Sequence, residues 1–261
     1  MAHISDIHFG RIAQPGIVEA IVEDVNGHDV DLVAASGDLT QRARPGQYRA
    51  AREMLDAFEA PWLTVPGNHD VFPWWRPGSR LFDPLRRFRE HITNDMTPRH
   101  ELDRAVVQGI NTAYGWTVLG GRLGTEAREA IEAGLGGHET GRMNILVMHH
   151  HLVQLSNVGK HDTVRGARKA LRTAERSGVD MILCGHLHIS HVEPIELGQN
   201  GTHMVIVSAG TATSDRGRGK HRETNFYNVI DIYPECVRVT ERRFDPDLDA
   251  FETYGEHRFD R

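Results

Sequence analysis

The chain has 261 residues, 39% of them hydrophobic and 25% charged, the balance of a globular protein rather than a disordered or fibrous one. A formal net charge of −6 disfavours long nucleic acids as partners, while a local cationic site for a small phosphate compound stays open. No run is apolar enough to span a bilayer, MAHISD lacks a basic region followed by an apolar stretch, and two cysteines make no disulfide framework, so a cytoplasmic protein without a membrane partner is expected.

Four apolar runs end in polar, metal-capable residues, and a fifth, shortened version opens the chain as AHISDIHFG, carrying Asp6 and His8. Next comes a helical pattern from Pro15 to Val25, with Ile17, Ile21, Val22 and Val25 on one side. The run VDLVAASGD (Val30 to Asp38) follows, then a helix over Pro45 to Phe58, then APWLTVPGNHD (Ala60 to Asp70). Residues 71–104 break the pattern with Trp74, Trp75, several arginines and prolines. They read as an inserted cap-like segment without a clear strand, holding a short helix near Pro84 to His91. A weaker helix is predicted at Thr125 to Leu135, before MNILVMHHH (Met143 to His151). A helix over Thr163 to Arg176 leads into VDMILCGHLH (Val179 to His188). Strands are then predicted at His203 to Ser208, Asn225 to Tyr233 and Cys236 to Phe244, and the polar tail from Asp245 onward reads as a surface wrap.

Strand, helix, strand alternation predicts an α/β architecture, read as one domain over 1–261 with the cap-like insertion. Apolar β-branched runs of this length read as strands buried on both faces. In such sheets ligands gather beyond the carboxyl ends of the strands, where every polar cluster falls.

Asp6 and His8 sit two apart after an extended segment, which predicts side chains on one face. His186 and His188 repeat that spacing in GHLH, with Gly185 allowing close backbone approach. Asp38 ends SGD, Asn68 and His69 follow a Pro-Gly turn, and strand-end geometry favours His149 over His150 as the donor after the fourth run. Carboxylate, imidazole and amide donors without thiolate suit divalent manganese, iron or zinc. There are too many for one ion and about enough for two, with Asp38 shared between ions roughly 3.5–4 Å apart. Two divalent ions, less Asp6, Asp38 and one hydroxide, leave a formal charge of about +1, matched to an anionic phosphoryl group.

In this order, DIH, GD, GNHD, the histidine-ending strand and GHLH resemble the calcineurin-like metallophosphoesterase superfamily, and within it the bacterial class III cyclic-nucleotide phosphodiesterase-type enzymes. The resemblance covers nearly the whole chain. It implies a four-layer fold of two mixed sheets packed face to face and flanked by helices. It implies one metal on Asp6, His8, Asp38 and His188, and another on Asp38, Asn68, His149 and His186. It also implies in-line attack on phosphorus by a metal-bridging hydroxide, with His69 protonating the leaving oxygen. Similar proteins commonly carry an aspartate three residues after the bridging carboxylate, hydrogen-bonded to the acid histidine; here that position is Gln41. A glutamine can orient an imidazole but cannot stabilise its charged form as a carboxylate would.

Other residues carry two readings. His150 stands behind the donors or touches substrate, and His151 is structural. Arg42 contacts phosphate or is solvated; Arg216 and Arg218, in the loop Ser214 to Arg222, clamp phosphate or are solvated. Trp74 and Trp75 pack the insertion or stack on a base or aryl group. His91, His138 and His203 read as surface or satisfied residues. The expected activity is hydrolysis of small phosphodiesters, with a phosphomonoesterase, a nuclease or an inactive binding scaffold as alternatives; the oligomeric state is not legible.

Overall fold

The computed structural model describes residues 1–117, 120–136, 141–156, 158–197 and 202–261. Each apolar run forms a short buried strand whose helical neighbour packs back onto it. The first half runs β1 (Ala2–Ile4), α1 (Ile17–Asn26), β2 (Val33–Ala35), α2 (Pro45–Asp56), β3 (Trp62–Thr64), α3 (Pro77–Phe82), α4 (Arg86–His91) and β4 (Arg99–Glu101). The second runs β5 (Ala105–Gly109), α5 (Thr125–Leu135), β6 (Met143–Val147), α6 (Ala167–Arg176), β7 (Met181–Cys184), β8 (His191–Leu197), β9 (Thr202–Ser208), β10 (Phe226–Ile232), β11 (Cys236–Asp245) and β12 (Ala250–Asp260).

The strands form two six-stranded mixed sheets, β12-β11-β10-β1-β2-β3 and β4-β5-β6-β7-β9-β8. In the first, β1, β2 and β3 are parallel, with Ala2 opposite Val33 and Val33 opposite Trp62. In the second, β5, β6, β7 and β9 are parallel. Three apolar layers account for the four-layer stacking. Ala34, Leu63, Val65, Val107, Ile145, Val147 and Leu183 fill the space between the sheets. The outer face of the first sheet is covered by Ile17, Ile21 and Val25 of α1 and Tyr48, Ala51, Met54 and Leu55 of α2, positions that recur at steps of three or four on one side of each helix. Ile131 and Leu135 of α5 and Ala170 and Ala174 of α6 cover the second sheet.

Three expectations are corrected. The insertion contains a strand, β4, whose residues pair antiparallel with β5 from Arg99 opposite Gln108. The tail is β12, paired along its length with β11, so the polar stretch is an edge strand rather than a wrap. Helix α1 begins at Ile17, behind Gly16 in the left-handed region (φ 86°), and Pro15 lies outside it.

Candidate metal centre

Within each sheet the parallel strands, β1, β2 and β3 in the first and β6 and β7 in the second, end on one side, and each delivers a polar turn to one place. Beyond β1 the chain leaves the extended state at once. Asp6 (φ 52°) and His8 (φ 53°) are left-handed, as are Asp38 (φ 54°), His186 (φ 71°) and His188 (φ 58°). Side-chain alternation along a strand therefore does not explain why Asp6 and His8 point together; consecutive left-handed turns do. Asp and His tolerate this region better than most residues, and such strain collects at functional sites.

Two groups result, buried except for a half-buried His186. Asp6, His8, Asp38 and His188 each place one donor atom within 4.8 Å of the others, and so do His149, His150 and His186. In the first, His8 Nε2 lies 3.5 Å from Asp6 Oδ1 and 3.7 Å from Asp38 Oδ2, and His188 Nε2 lies 3.2 Å from Asp6 Oδ1. Asp38 Oδ2 also approaches His149 Nε2 at 3.3 Å, so this carboxylate lies between the groups. Asn68 Oδ1 joins the second, 3.2 Å from His149 Nε2 and 3.0 Å from His186 Nδ1.

Each carboxylate divides its oxygens in the same manner. Asp6 Oδ2 accepts from Ser5 Oγ at 2.7 Å and the His186 main-chain N–H at 2.8 Å, and Asp38 Oδ1 accepts from the His69 N–H at 2.7 Å. Asp6 Oδ1 and Asp38 Oδ2 accept nothing from the described residues although they are fully buried. Buried anionic oxygens facing imidazole nitrogens are costly unless a cation completes them, so the donor set fits divalent ions. Burial opposes ionisation at Asp6, yet His188 and His8 more than offset it and hold the carboxyl well below the usual range. Burial likewise opposes charge on His149, and Asp38 overrides it, raising that imidazole to about 9. The His149 ring is oriented by Nδ1, which donates to the Ser36 carbonyl at 2.8 Å and turns Nε2 toward the shared carboxylate.

Two glycines permit the interlocking of these turns. A Cβ on Gly67 would lie 2.1 Å from Asp38 Oδ1, and one on Gly185 would lie 1.8 Å from Ser5 Oγ and 2.5 Å from Asp6 Oδ2. Gly185→Ala is expected to cost about 1–3 kcal/mol of overpacking and to displace Asp6, lowering both Tm and bound metal. A variant with wild-type metal content would show that the turn yields without moving the donor.

His69 is half-buried, its ring 4.8 Å from that of His8. Its Nδ1 donates at 3.0 Å to the main-chain carbonyl of Gln41, not to the side chain, which is engaged elsewhere: Gln41 Oε1 accepts from Arg216 Nη1 at 3.1 Å. The amide thus does not orient the imidazole; the backbone does. Burial lowers the His69 pKa, Asp38 raises it and His8 lowers it further.

A cleft of 770 Å³ begins at His69 and Gln41 and includes Arg42 and Arg216 in its walls. A second, of 210 Å³, shares His69, Gln41 and Arg42 and is closed by Asn68, Trp74 and Trp75. The two tryptophans are 52% and 63% exposed and wall this cleft, and Trp74 also packs within the insertion. Arg80 stacks on Trp74 at 4.1 Å and Arg42 on Trp75 at 5.9 Å. Arg218 is exposed, lines neither cleft, and precedes the 3-10 turn Gly219–His221. His150 is buried with Nδ1 2.8 Å from Thr112 Oγ1 and its ring 4.6 Å from that of His186; it lines neither cleft. His151 Nε2 is 3.0 Å from the Gly185 carbonyl. His91 stacks on Tyr48, and His138 lies outside the described residues.

Sequence reasoning passed over Asp70, the last residue of GNHD. Its buried carboxylate accepts from the main-chain N–H groups of Leu39, Thr40 and Gly67, tying the turn after β2 to the turn after β3. Burial and the charge of Asp38 push its carboxyl up to about 6 against those donors. The motif itself was the available signal. Arg11 and Arg222, also missed, join the larger cleft: Arg222 ends the basic loop that carries Arg216, whereas Arg11 comes from a distant part of the chain with no local signal.

A family model described as calcineurin-like phosphoesterase matches residues 1–190. Over 80 residues the chain is 38% identical to the glycerophosphodiester phosphodiesterase GpdQ of Enterobacter lignolyticus, covering 27% of this chain and only 29% of that protein. It is 28% identical over 261 residues to the 3',5'-cyclic adenosine monophosphate phosphodiesterase CpdA of Escherichia coli, covering 90% of this chain and 85% of the other. A purple acid phosphatase from yellow lupin seeds superposes with a TM-score of 0.76 at 16% identity, over 99% of this chain and 53% of that one. At that identity the likeness is one of fold.

Proposed function

The chain belongs to the calcineurin-like phosphoesterase family, and we propose that it is a binuclear metal-dependent hydrolase of small phosphodiesters. The observation that carries this reading is the division of labour at Asp38: one oxygen is held by the His69 N–H, and the other faces both histidine groups. In this reading Asp6, His8, Asp38 and His188 hold one ion, and Asp38, Asn68, His149 and His186 the other. The donor types suit manganese, iron or zinc. When bound, the ions supply Lewis acidity toward phosphoryl oxygens and a nucleophile from water near neutral pH.

The chain's own residues do the rest. His69, with Nδ1 committed to the Gln41 carbonyl, presents Nε2 and carries the proton to the departing oxygen. Arg42 and Arg216 stand on that side of the site and bind the departing part of the ester, while the Trp75 face accepts a planar group. His150, fixed by Thr112, supports the second ion's histidines from behind. Residues 71–104 serve as a cap beside the leaving group within one domain over 1–261. Among the described residues no helix is long and apolar enough to cross a membrane. Cys184 and Cys236 are buried free thiols, which supports a reducing compartment such as the cytoplasm.

The relatives named above are a cyclic-nucleotide and a glycerophosphodiester phosphodiesterase, and diester chemistry is the reading taken for this chain. A centre of formal charge about +1 balances a diester monoanion better than a monoester dianion. With manganese supplied, kcat/KM for bis-nitrophenyl phosphate is therefore expected to exceed that for nitrophenyl phosphate, and a chelator should abolish both. A wild-type monoester preference that disappears in Arg42→Ala or Arg216→Ala would instead place those cations at the reacting phosphorus and make the protein a phosphomonoesterase.

A further inference from the structure

We propose that the larger cleft is an anion subsite for the leaving group, so that preferred substrates are phosphodiesters whose departing alcohol carries a second negative charge. This deepens the hydrolase reading and rests on it, because His69 marks the leaving-group side.

Four arginines, Arg11, Arg42, Arg216 and Arg222, converge on this one cleft. Among the described residues only two carboxylates, Asp215 and Glu223, share its walls. Asp215 is spent on Arg11, at 2.5 Å, while among the described residues Arg42, Arg216 and Arg222 make no ion pair. A positive cleft in a chain of net charge −6 is not a by-product of composition; such a concentration of one sign focuses anions. Guanidinium groups present forked donors that match carboxylate or phosphate oxygens.

Gln41 explains how the charge is kept. Its side-chain oxygen holds Arg216 through a neutral hydrogen bond of 3.1 Å, fixing the guanidinium beside His69 without cancelling it. A carboxylate at this position would pair with Arg216 and remove its charge from the cleft. Arg42 is placed by the same turn, whose main chain is tied down where Gln47 Oε1 accepts from the Arg42 N–H at 2.9 Å and the Arg44 N–H at 3.3 Å. Because the walls of the cleft begin at His69, a group bound there is attached through the oxygen that His69 protonates.

The test uses phenyl aryl phosphodiesters whose leaving phenol bears a para carboxylate, phosphonate or carboxamide, assayed with the manganese-loaded protein. The readout is the ratio of kcat/KM for each anionic ester to that for the neutral carboxamide, compared across wild type, Arg222→Ala and Gln41→Glu. Comparing ratios removes intrinsic differences between the phenols and general damage from either substitution. One lost charge-assisted contact predicts a fall of about tenfold or more in that ratio for Arg222→Ala, and a similar fall for Gln41→Glu. A larger fall on Arg222→Ala in the phosphonate ratio than in the carboxylate ratio would assign the second group as a phosphate, and the reverse as a carboxylate. Turnover of all three esters with the same ratios in wild type and variants would overturn the subsite and leave the hydrolase intact. No turnover of any ester would overturn the hydrolase reading and the subsite with it.

Discussion

Asp38→Ala is expected to lose most of the bound metal and nearly all activity, the largest effect of any single substitution in this chain. Elemental analysis of wild-type protein prepared without chelator should find close to two ions per chain. Asp38 Oδ2 faces His8 on one side and His149 on the other, so its removal strips a donor from both groups. Losing one preorganised electrostatic group in an active site typically costs about 10²–10³-fold in rate. A residue common to two ions should exceed that. Asp38→Asn separates charge from shape, since its amide oxygen can still accept from the His69 N–H. It should keep the fold, and its metal content should fall while the alanine variant's falls further. Full metal occupancy in the alanine variant would remove Asp38 from the bridging position.

His69→Ala is expected to behave in the opposite manner, keeping both ions and losing turnover. What His69 gives the donors is its main-chain N–H, 2.7 Å from Asp38 Oδ1, and alanine retains it. General-acid contributions are about 10²–10⁴-fold, and that loss should appear with an alkoxide leaving group. With nitrophenolate, which departs without a proton, the loss should shrink toward unity. Equal losses across leaving groups would remove His69 from the acid role, and loss of metal would make it structural.

The strand-end clusters were legible because parallel strands point their carboxyl ends one way and because metal-capable residues after apolar runs have few other reasons to recur. Helix α5, the weaker of the helical patterns, still has the expected bounds Thr125–Leu135, with Ala127, Ile131 and Leu135 buried four apart. Strand β12 was hidden because an edge strand exposed along most of its length carries no apolar alternation; its order comes from the long ladder with β11. Strands β4, β5 and β8 are short or lie at or near a sheet edge, where local pattern is weak and pairing partners decide. The site's finer wiring was illegible for another reason. Whether Gln41 meets His69 through its amide or its carbonyl depends on Arg216, 175 residues away. Nothing within a few residues of Gln41 encodes that choice.

The donors come from both sheets. Asp6, His8, Asp38 and Asn68 follow strands of the first sheet, while His149, His186 and His188 follow strands of the second. Each group draws on both, so ions held there would be cross-links between two layers, added to the apolar contact and to the few hydrogen bonds, such as His186 N–H to Asp6, that already join them. Folding and metal supply would then be one equilibrium rather than two. For each ion, stability would rise with the logarithm of its free concentration, by about 2.7 kcal/mol at a hundredfold excess over Kd. Stability measured in one buffer is then a property of the protein together with its metal reservoir, and a cell that starves the chain of metal would weaken the seam between its halves.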